Sequence, residues 1–356
     1  MDSGHTSSVA TPNKSTPNKS TNGQRPSLGK WRRGMLLSGL GLLLLIVLIW
    51  LAGTWAKANL ASQYPAPGQL IAVGGYKLHL DCRGQGSPTV LLEAGLNDFS
   101  VQWARVQPAV AQFTRVCTYD RAGLGWSDPS PHPRTMATMV QELRHLLDQG
   151  GIPGPYVLVG HSFGGITMRH FAHEYRDAVV GMVLVDAAHE AQLARLSGQS
   201  RTIEQLVQQF RVLALLNRWG LLALSPAQIP NRDLPEAALA QYRARLAVSG
   251  YFDAAVAESA AFSLNLGHGS LPHPDALGDL PLIVISRGQA EPLPGLSASQ
   301  NAQNEQSWRN LQAELVSLSS HSQQWIAEQS GHNIHLQQPM LVIQAIRGLV
   351  ESTQSH

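Results

Sequence analysis

Gly160-His161-Ser162-Phe163-Gly164 lies directly after the apolar run Tyr156-Val157-Leu158-Val159 and directly before a stretch with helical periodicity at 165–175. This arrangement limits the chain more than any other feature. A short run bounded by glycine reads as a buried strand. A hydroxyl residue flanked by glycines between a strand and a helix reads as G-x-S-x-G, a sharp turn that lifts the serine above the sheet. Neighbouring Cβ atoms would collide in such a turn, which is why glycine stands on either side. The following helix would aim its N-terminus at the hydroxyl, where negative charge is stabilised.

The surrounding sequence repeats the strand-then-helix rhythm. Apolar or β-branched runs at 69–73, 76–82, 89–93, 115–119, 156–159, 180–185, 282–286 and 323–327 predict strands, and 138–149, 165–175, 302–318 and 339–351 predict helices. Such alternation implies an α/β fold with a mostly parallel sheet covered on both faces. Strands buried on both faces should be continuously apolar, as Leu282-Ile283-Val284-Ile285 is. Residues 190–275 break the rhythm with helical patterns at 202–216 and 235–246, and are expected to be a helical cap inserted between two strands.

The N-terminal portion is different. Residues 1–33 are mostly Ser, Thr, Asn, Pro, Lys and Gly, a composition that cannot offset its own ordering entropy. Residues 34–56 then contain no charged side chain, long enough as a helix to cross a bilayer. Lys30, Arg32 and Arg33 precede this run and Lys57 follows it. The positive-inside rule therefore predicts a cytoplasmic tail at 1–33, a signal-anchor helix at 34–56 and an extracytoplasmic remainder. The run exceeds the apolar core of a signal peptide, which favours an anchor over cleavage near Ala56-Lys57-Ala58. Pro65, Pro67 and Gly68 mark 57–68 as a linker, leaving 69–352 for the catalytic domain.

Charge excludes some functions. The net charge is +2 and no basic stripe with interleaved aromatics is present, so nucleic acid is not an expected partner. The two cysteines, Cys82 and Cys117, lack C-x-x-C spacing, and no phosphate-cradling loop occurs, so no metal or other cofactor is implied. Nor is an obligate protein partner.

A serine needs a base to act as a nucleophile near neutral pH. Ser330-Gly331-His332-Asn333 follows the last predicted strand, which makes His332 the expected base for Ser162, with His335 as its rival. Together with Glu93-Ala94-Gly95 and Tyr119-Asp120-Arg121-Ala122-Gly123-Leu124-Gly125-Trp126-Ser127-Asp128, these stretches, in this order, resemble the α/β-hydrolase fold superfamily over roughly residues 70–350. The resemblance implies an eight-stranded sheet, a cap after the sixth strand and a Ser-His-acid triad. For the acid, the position commonest in the resembling family, after the strand at 282–286, points to Glu291, but Arg287-Gly288-Gln289-Ala290-Glu291-Pro292 holds no Asp. Some cap-bearing relatives use a carboxylate after the preceding strand, at 180–185 here, which favours Asp186, with Glu291 as the alternative. The oxyanion hole would use the backbone N–H groups of Phe163 and of Leu96. The segment from Asp120 to Ser127 would brace a loop near the site. In the resembling fold the strands bearing Cys82 and Cys117 are neighbours, so the pair would form a disulfide in an oxidising compartment or remain two buried thiols. The implied reaction is hydrolysis of a carboxylic ester, small or lipid. Acyl transfer to an alcohol on the same residues, or a non-catalytic binding role, are the alternatives.

Overall fold

A computed structural model describes residues 28–231, 233–248, 250–267 and 277–354. One sheet of eight strands organises them: β1 (Gln69–Ala72), β2 (Lys77–Arg83), β3 (Thr89–Glu93), β4 (Val116–Tyr119), β5 (Tyr156–His161), β6 (Val179–Val185), β7 (Leu282–Arg287) and β8 (Ser322–Ala327). The spatial order is β1-β2-β4-β3-β5-β6-β7-β8. β2 runs against both neighbours, and every other pairing is parallel. Central strands β3, β4 and β5 are buried at every residue, as apolar runs covered on both faces must be. β8 lies at the edge and exposes Gln323 and Gln324, polar side chains that discourage edge-to-edge pairing.

The described helices are α1 (Leu28–Gln63), α2 (Gln107–Val110), α3 (Met136–Gln149), α4 (Phe163–Glu174), α5 (Gln192–Arg195), α6 (Gln199–Arg218), α7 (Leu221–Leu224), α8 (Glu236–Val248), α9 (Tyr251–Gly267), α10 (Ala298–Val316), α11 (Ile334–Gln337) and α12 (Pro339–Gln354). On one face of the sheet, Leu143 and Leu147 of α3 and Ile166 and Phe171 of α4 pack against Leu91, Leu158 and Leu184. On the other, Val342, Ile346 and Leu349 of α12 pack against Val157, Val159 and Val183. Helices α3 and α12 show the sheet apolar stripes at three- and four-residue spacing, whereas α4 is buried almost all round. Helices α5 to α9 form the cap between β6 and β7, although residues 232, 249 and 268–275 of the expected insertion lie outside the described residues. A separate cluster of Phe99, Phe210, Tyr242, Tyr251 and Phe252 seats the cap.

The N-terminal expectations need correction. The tail at 1–33 lies outside the described residues as far as residue 27, and 28–33 belong to α1. The expected linker at 57–68 is helical as far as Gln63. Nothing between Lys57 and Gln63 breaks a helix, and extending an existing helix costs far less than starting one, so α1 stops only when Pro65 approaches. The chain divides into two compact units between Leu48 and Ile49 rather than near residue 56. Residues 31–48 are a helical stretch, uncharged from Gly34 onward, exposed on every side. Residues 49–63 belong with the second unit: Gly53 meets Gly220, and Ala56 is buried with Ala223 and Ala247. Cys82 and Cys117 pair in register on β2 and β4, and their sulfurs are bonded.

Candidate active site

Ser162 sits between the last residue of β5 and the first of α4, at φ 52° and ψ −120°. A non-glycine residue there is strained, and such strain gathers at functional sites. The flanking glycines allow the turn: a Cβ on Gly160 would stand 2.5 Å from the Gly164 carbonyl oxygen, and one on Gly164 2.6 Å from that of Glu93. The Ser162 N–H donates to Val185 O (3.1 Å) and Ala188 N–H donates to Ser162 O (2.9 Å), tying the turn to the end of β6.

Asp186 follows β6 directly and is fully buried. Its Oδ2 stands 2.6 Å from Nδ1 of His332, which lies on the loop between β8 and α11. Oδ1 accepts from Trp308 Nε1 (2.9 Å) and from the Arg287 N–H (3.1 Å), and Arg287 Nη1 is 3.3 Å from Oδ2. Burial alone would raise the Asp186 pKa, but the hydrogen bond and charge of His332, the charge of Arg287 and the Trp308 N–H together hold it below the usual carboxylate value. An ionised carboxylate so placed fixes the Nδ1–H tautomer and leaves Nε2 free to accept a proton. Glu291 plays a different structural part: its Oε1 accepts the backbone N–H of His332 at 2.6 Å, so it holds the loop and not the imidazole.

His335, the rival base, is buried against Trp103 and His161 with ring centroids 4.9 and 4.2 Å away. Burial, followed by the nearby His332, pushes its pKa down to about 3. Ser162 and His332 instead line one cavity of about 220 Å³ together with Gln192, Leu196, Leu293 and Trp308.

The loop after β3 approaches Ser162 from the other side: a Cβ on Gly95 would stand 3.2 Å from Ser162 Cβ. Among the described residues, the N–H groups of Leu96 on this loop and Phe163 at the start of α4 donate to no protein acceptor. Arg121 holds the loop, donating from Nη1 to Ala94 O (2.8 Å) and from Nη2 to Gly95 O (2.7 Å). Its Nε donates to Glu258 of α9 at 2.6 Å, and the second Glu258 oxygen accepts the Asn97 N–H at 2.6 Å. Cap and loop are thus held by one buried ion pair. Asp120 ties the adjoining segment by accepting from the Ser100 and Trp126 N–H groups (2.8 and 2.9 Å).

Sequence reasoning missed several of these roles. Trp308 and Glu258 lie on helices with no motif around them. His161 lies inside the pentapeptide, and its Nε2 donates to the His332 carbonyl at 3.0 Å, bracing the loop that carries the imidazole. Burial first, then the proximity of His335 and His332, keeps His161 well below the ordinary histidine range, so it is neutral.

The family profile of the alpha/beta hydrolase fold matches residues 88–271. A probable transporter, efuK, of Hormonema carpetanum is 37% identical over 135 residues, which is 36% of this chain and 19% of that protein. The chain thus spans about a fifth of that relative's length. The uncharacterized protein YqjL of Bacillus subtilis is 26% identical over 266 residues, 74% of this chain and 84% of that one. Among solved structures, a putative acyltransferase from Salmonella enterica superposes with a TM-score of 0.59 at 21% identity, covering 80% of this chain and 94% of the other. Other neighbours are named epoxide hydrolase, esterase and lipase. At such identities the likeness concerns the fold, and the names disagree on the reaction. With the profile match extending over half of its length, the chain belongs to the alpha/beta hydrolase fold family, and its eight-stranded, mostly parallel sheet fits that fold.

Proposed function

We propose that the chain is a membrane-anchored serine hydrolase that cleaves carboxylic esters through an acyl-enzyme on Ser162. One observation carries this reading: the imidazole of His332, held at Nδ1 by buried Asp186, lines the same cavity as Ser162 on its strained turn. Ser162 Oγ attacks the ester carbonyl while its proton passes to His332 Nε2. The resulting oxyanion takes hydrogen bonds from the Phe163 and Leu96 N–H groups. Asp186 stabilises the imidazolium, which returns the proton to the departing alkoxide as the carbon–oxygen bond breaks, releasing an alcohol. Water then repeats the sequence with His332 as base, releasing the acid and restoring the hydroxyl.

The anchor is the uncharged run at 34–56 within α1, whose most apolar 18 residues have a mean hydropathy of 2.7. The basic residues before it and the Cys82–Cys117 bond both favour an extracytoplasmic catalytic unit, because disulfides persist where the compartment is oxidising.

The test is fluorophosphonate labelling of the full-length protein, followed by peptide mapping. The expected result is an adduct on Ser162 that disappears in His332→Ala. A folded protein that takes no label would leave a binding protein as the better reading.

A further inference from the structure

The cap carries an apolar patch whose position follows from one backbone contact. Val212, Leu215, Leu216 and Trp219 recur at three- and four-residue spacing along α6 and beyond its end, with 57%, 58%, 39% and 45% of their surface exposed. Leu221 and Leu224 of α7 extend the patch. Six large apolar side chains grouped in this way mark a contact surface rather than scattered surface residues. The same face of α6 is polar nearer its start, where Gln205, Gln208 and Gln209 are exposed. Its character therefore changes along the helix, at Val212.

Gly220, at φ +72°, packs on Gly53 so closely that a Cβ there would stand 2.5 Å from the Gly53 backbone. Beside this contact, Ala56 is buried with Ala223 and Ala247, and Leu60 and Leu222 close around them. Residue 53 lies within the uncharged run that ends at 56. The patch is consequently pinned beside Gly53 and Ala56, the end of the uncharged run.

We propose that this patch is a membrane-docking surface of the cap, inserted into the headgroup–acyl boundary of the leaflet that α1 leaves. The inference rests on the anchor reading above. An apolar helix face normally enters that boundary by several ångströms, with tryptophan at the interface and arginine reaching back to the headgroups. Trp219 and Trp55 have the required exposure, and the exposed Arg211 and Arg218 flank the apolar positions. The switch at Val212 marks where α6 rises out of the leaflet. Its first residue, Gln199, lines the cavity holding Ser162 and His332, so one helix runs from the bilayer surface to the rim of the site. A second copy of the chain is the competing occupant; attachment of the patch to residue 53 favours lipid.

The experiment uses the full-length protein in phosphatidylcholine nanodiscs, with a single added cysteine carrying an environment-sensitive nitrobenzoxadiazole. Both native cysteines are disulfide-bonded and leave the label one thiol. Probes are placed by Trp219→Cys, Leu216→Cys, Gln205→Cys and, within the anchor, Leu43→Cys. Probes at 216 and 219 are expected to be blue-shifted, quenched by spin-labelled lipid and shielded from aqueous iodide, whereas the probe at 205 shows the reverse. If the probe at 43 is quenched by lipid but those at 216 and 219 are quenched by iodide, the anchor stands and the docking surface is refuted. Shielding at 219 from both quenchers, with energy transfer between differently labelled copies, would assign the patch to self-association and equally overturn the proposal. A probe at 43 that lipid does not quench removes the anchor reading and the docking surface with it.

Discussion

At the scale of single residues, two carboxylates near one histidine do different work. Asp186 bonds Nδ1 of His332, and Glu291 bonds its backbone N–H. Asp186→Asn is expected to lower kcat by about 10³–10⁴-fold with the fold intact, because the amide no longer stabilises the productive tautomer and its cation. Glu291→Gln keeps an acceptor for the N–H and should stay within a few-fold of wild type. Steady-state hydrolysis of a short activated ester by both variants checks this, and the reverse ranking would transfer the triad role to Glu291. Glu93 provides a pH signature. Burial, only partly opposed by Arg121 and Tyr119, raises its pKa from 4.5 to about 7. Its folded value lies above its unfolded value, so its contribution to stability is complete below pH 4.5 and is lost as pH rises through about 7. Thermal melts from about pH 5 to about pH 8 should show wild type losing stability relative to Glu93→Gln, whose amide cannot ionise. Parallel curves would contradict the assignment.

At the scale of elements, the loop bearing Leu96 depends on a cap helix more than on its own strand. Arg121 clamps the Ala94 and Gly95 carbonyls, and Glu258 of α9 holds Arg121 and the Asn97 N–H. Glu258→Gln retains the shape but removes the charge. The expected outcome is a roughly tenfold fall in kcat with little change in KM, below the 10²–10³-fold loss of an oxyanion donor removed outright. A rise in KM at constant kcat would show that the cap shapes substrate binding alone. The strand-to-helix alternation could be read directly because both periodicities are local, and β3 starts and ends at the predicted residues. The extension of α1 through Gln63 was not legible: Pro65 limits where a helix must end but does not dictate how far beyond the uncharged run it continues.

At the scale of the whole molecule, the Cys82–Cys117 bond joins β2 to β4 across a sequence separation of 35. In the loop-entropy account, a closure of that size stabilises by about 3–4 kcal/mol. Replacing both cysteines with serine should lower the melting temperature, and non-reducing peptide mapping should recover the linked pair from the native protein. Equal melting temperatures for the two proteins would count against the bond's contribution to stability. The sheet order places parallel β3, β5 and β6 side by side, so the loop of Leu96, Ser162 and Asp186 all follow the C-terminal ends of neighbouring strands although they are separated in sequence.

What the amino-acid order alone determined was whatever depends on near neighbours. The turn around Ser162 follows from glycines in contact across a few residues, the apolar strands from composition, and the long apolar helix through 34–56 from an uncharged run. A histidine on a late loop was also visible as a candidate. Which carboxylate meets that histidine, that Trp308 and Arg287 hold the carboxylate, and that Glu258 reaches Arg121 were decided by the tertiary structure alone. Those partners come from elements separated by a hundred residues or more. Their meeting depends on crossover geometry and cap packing, which leave no local pattern in the chain.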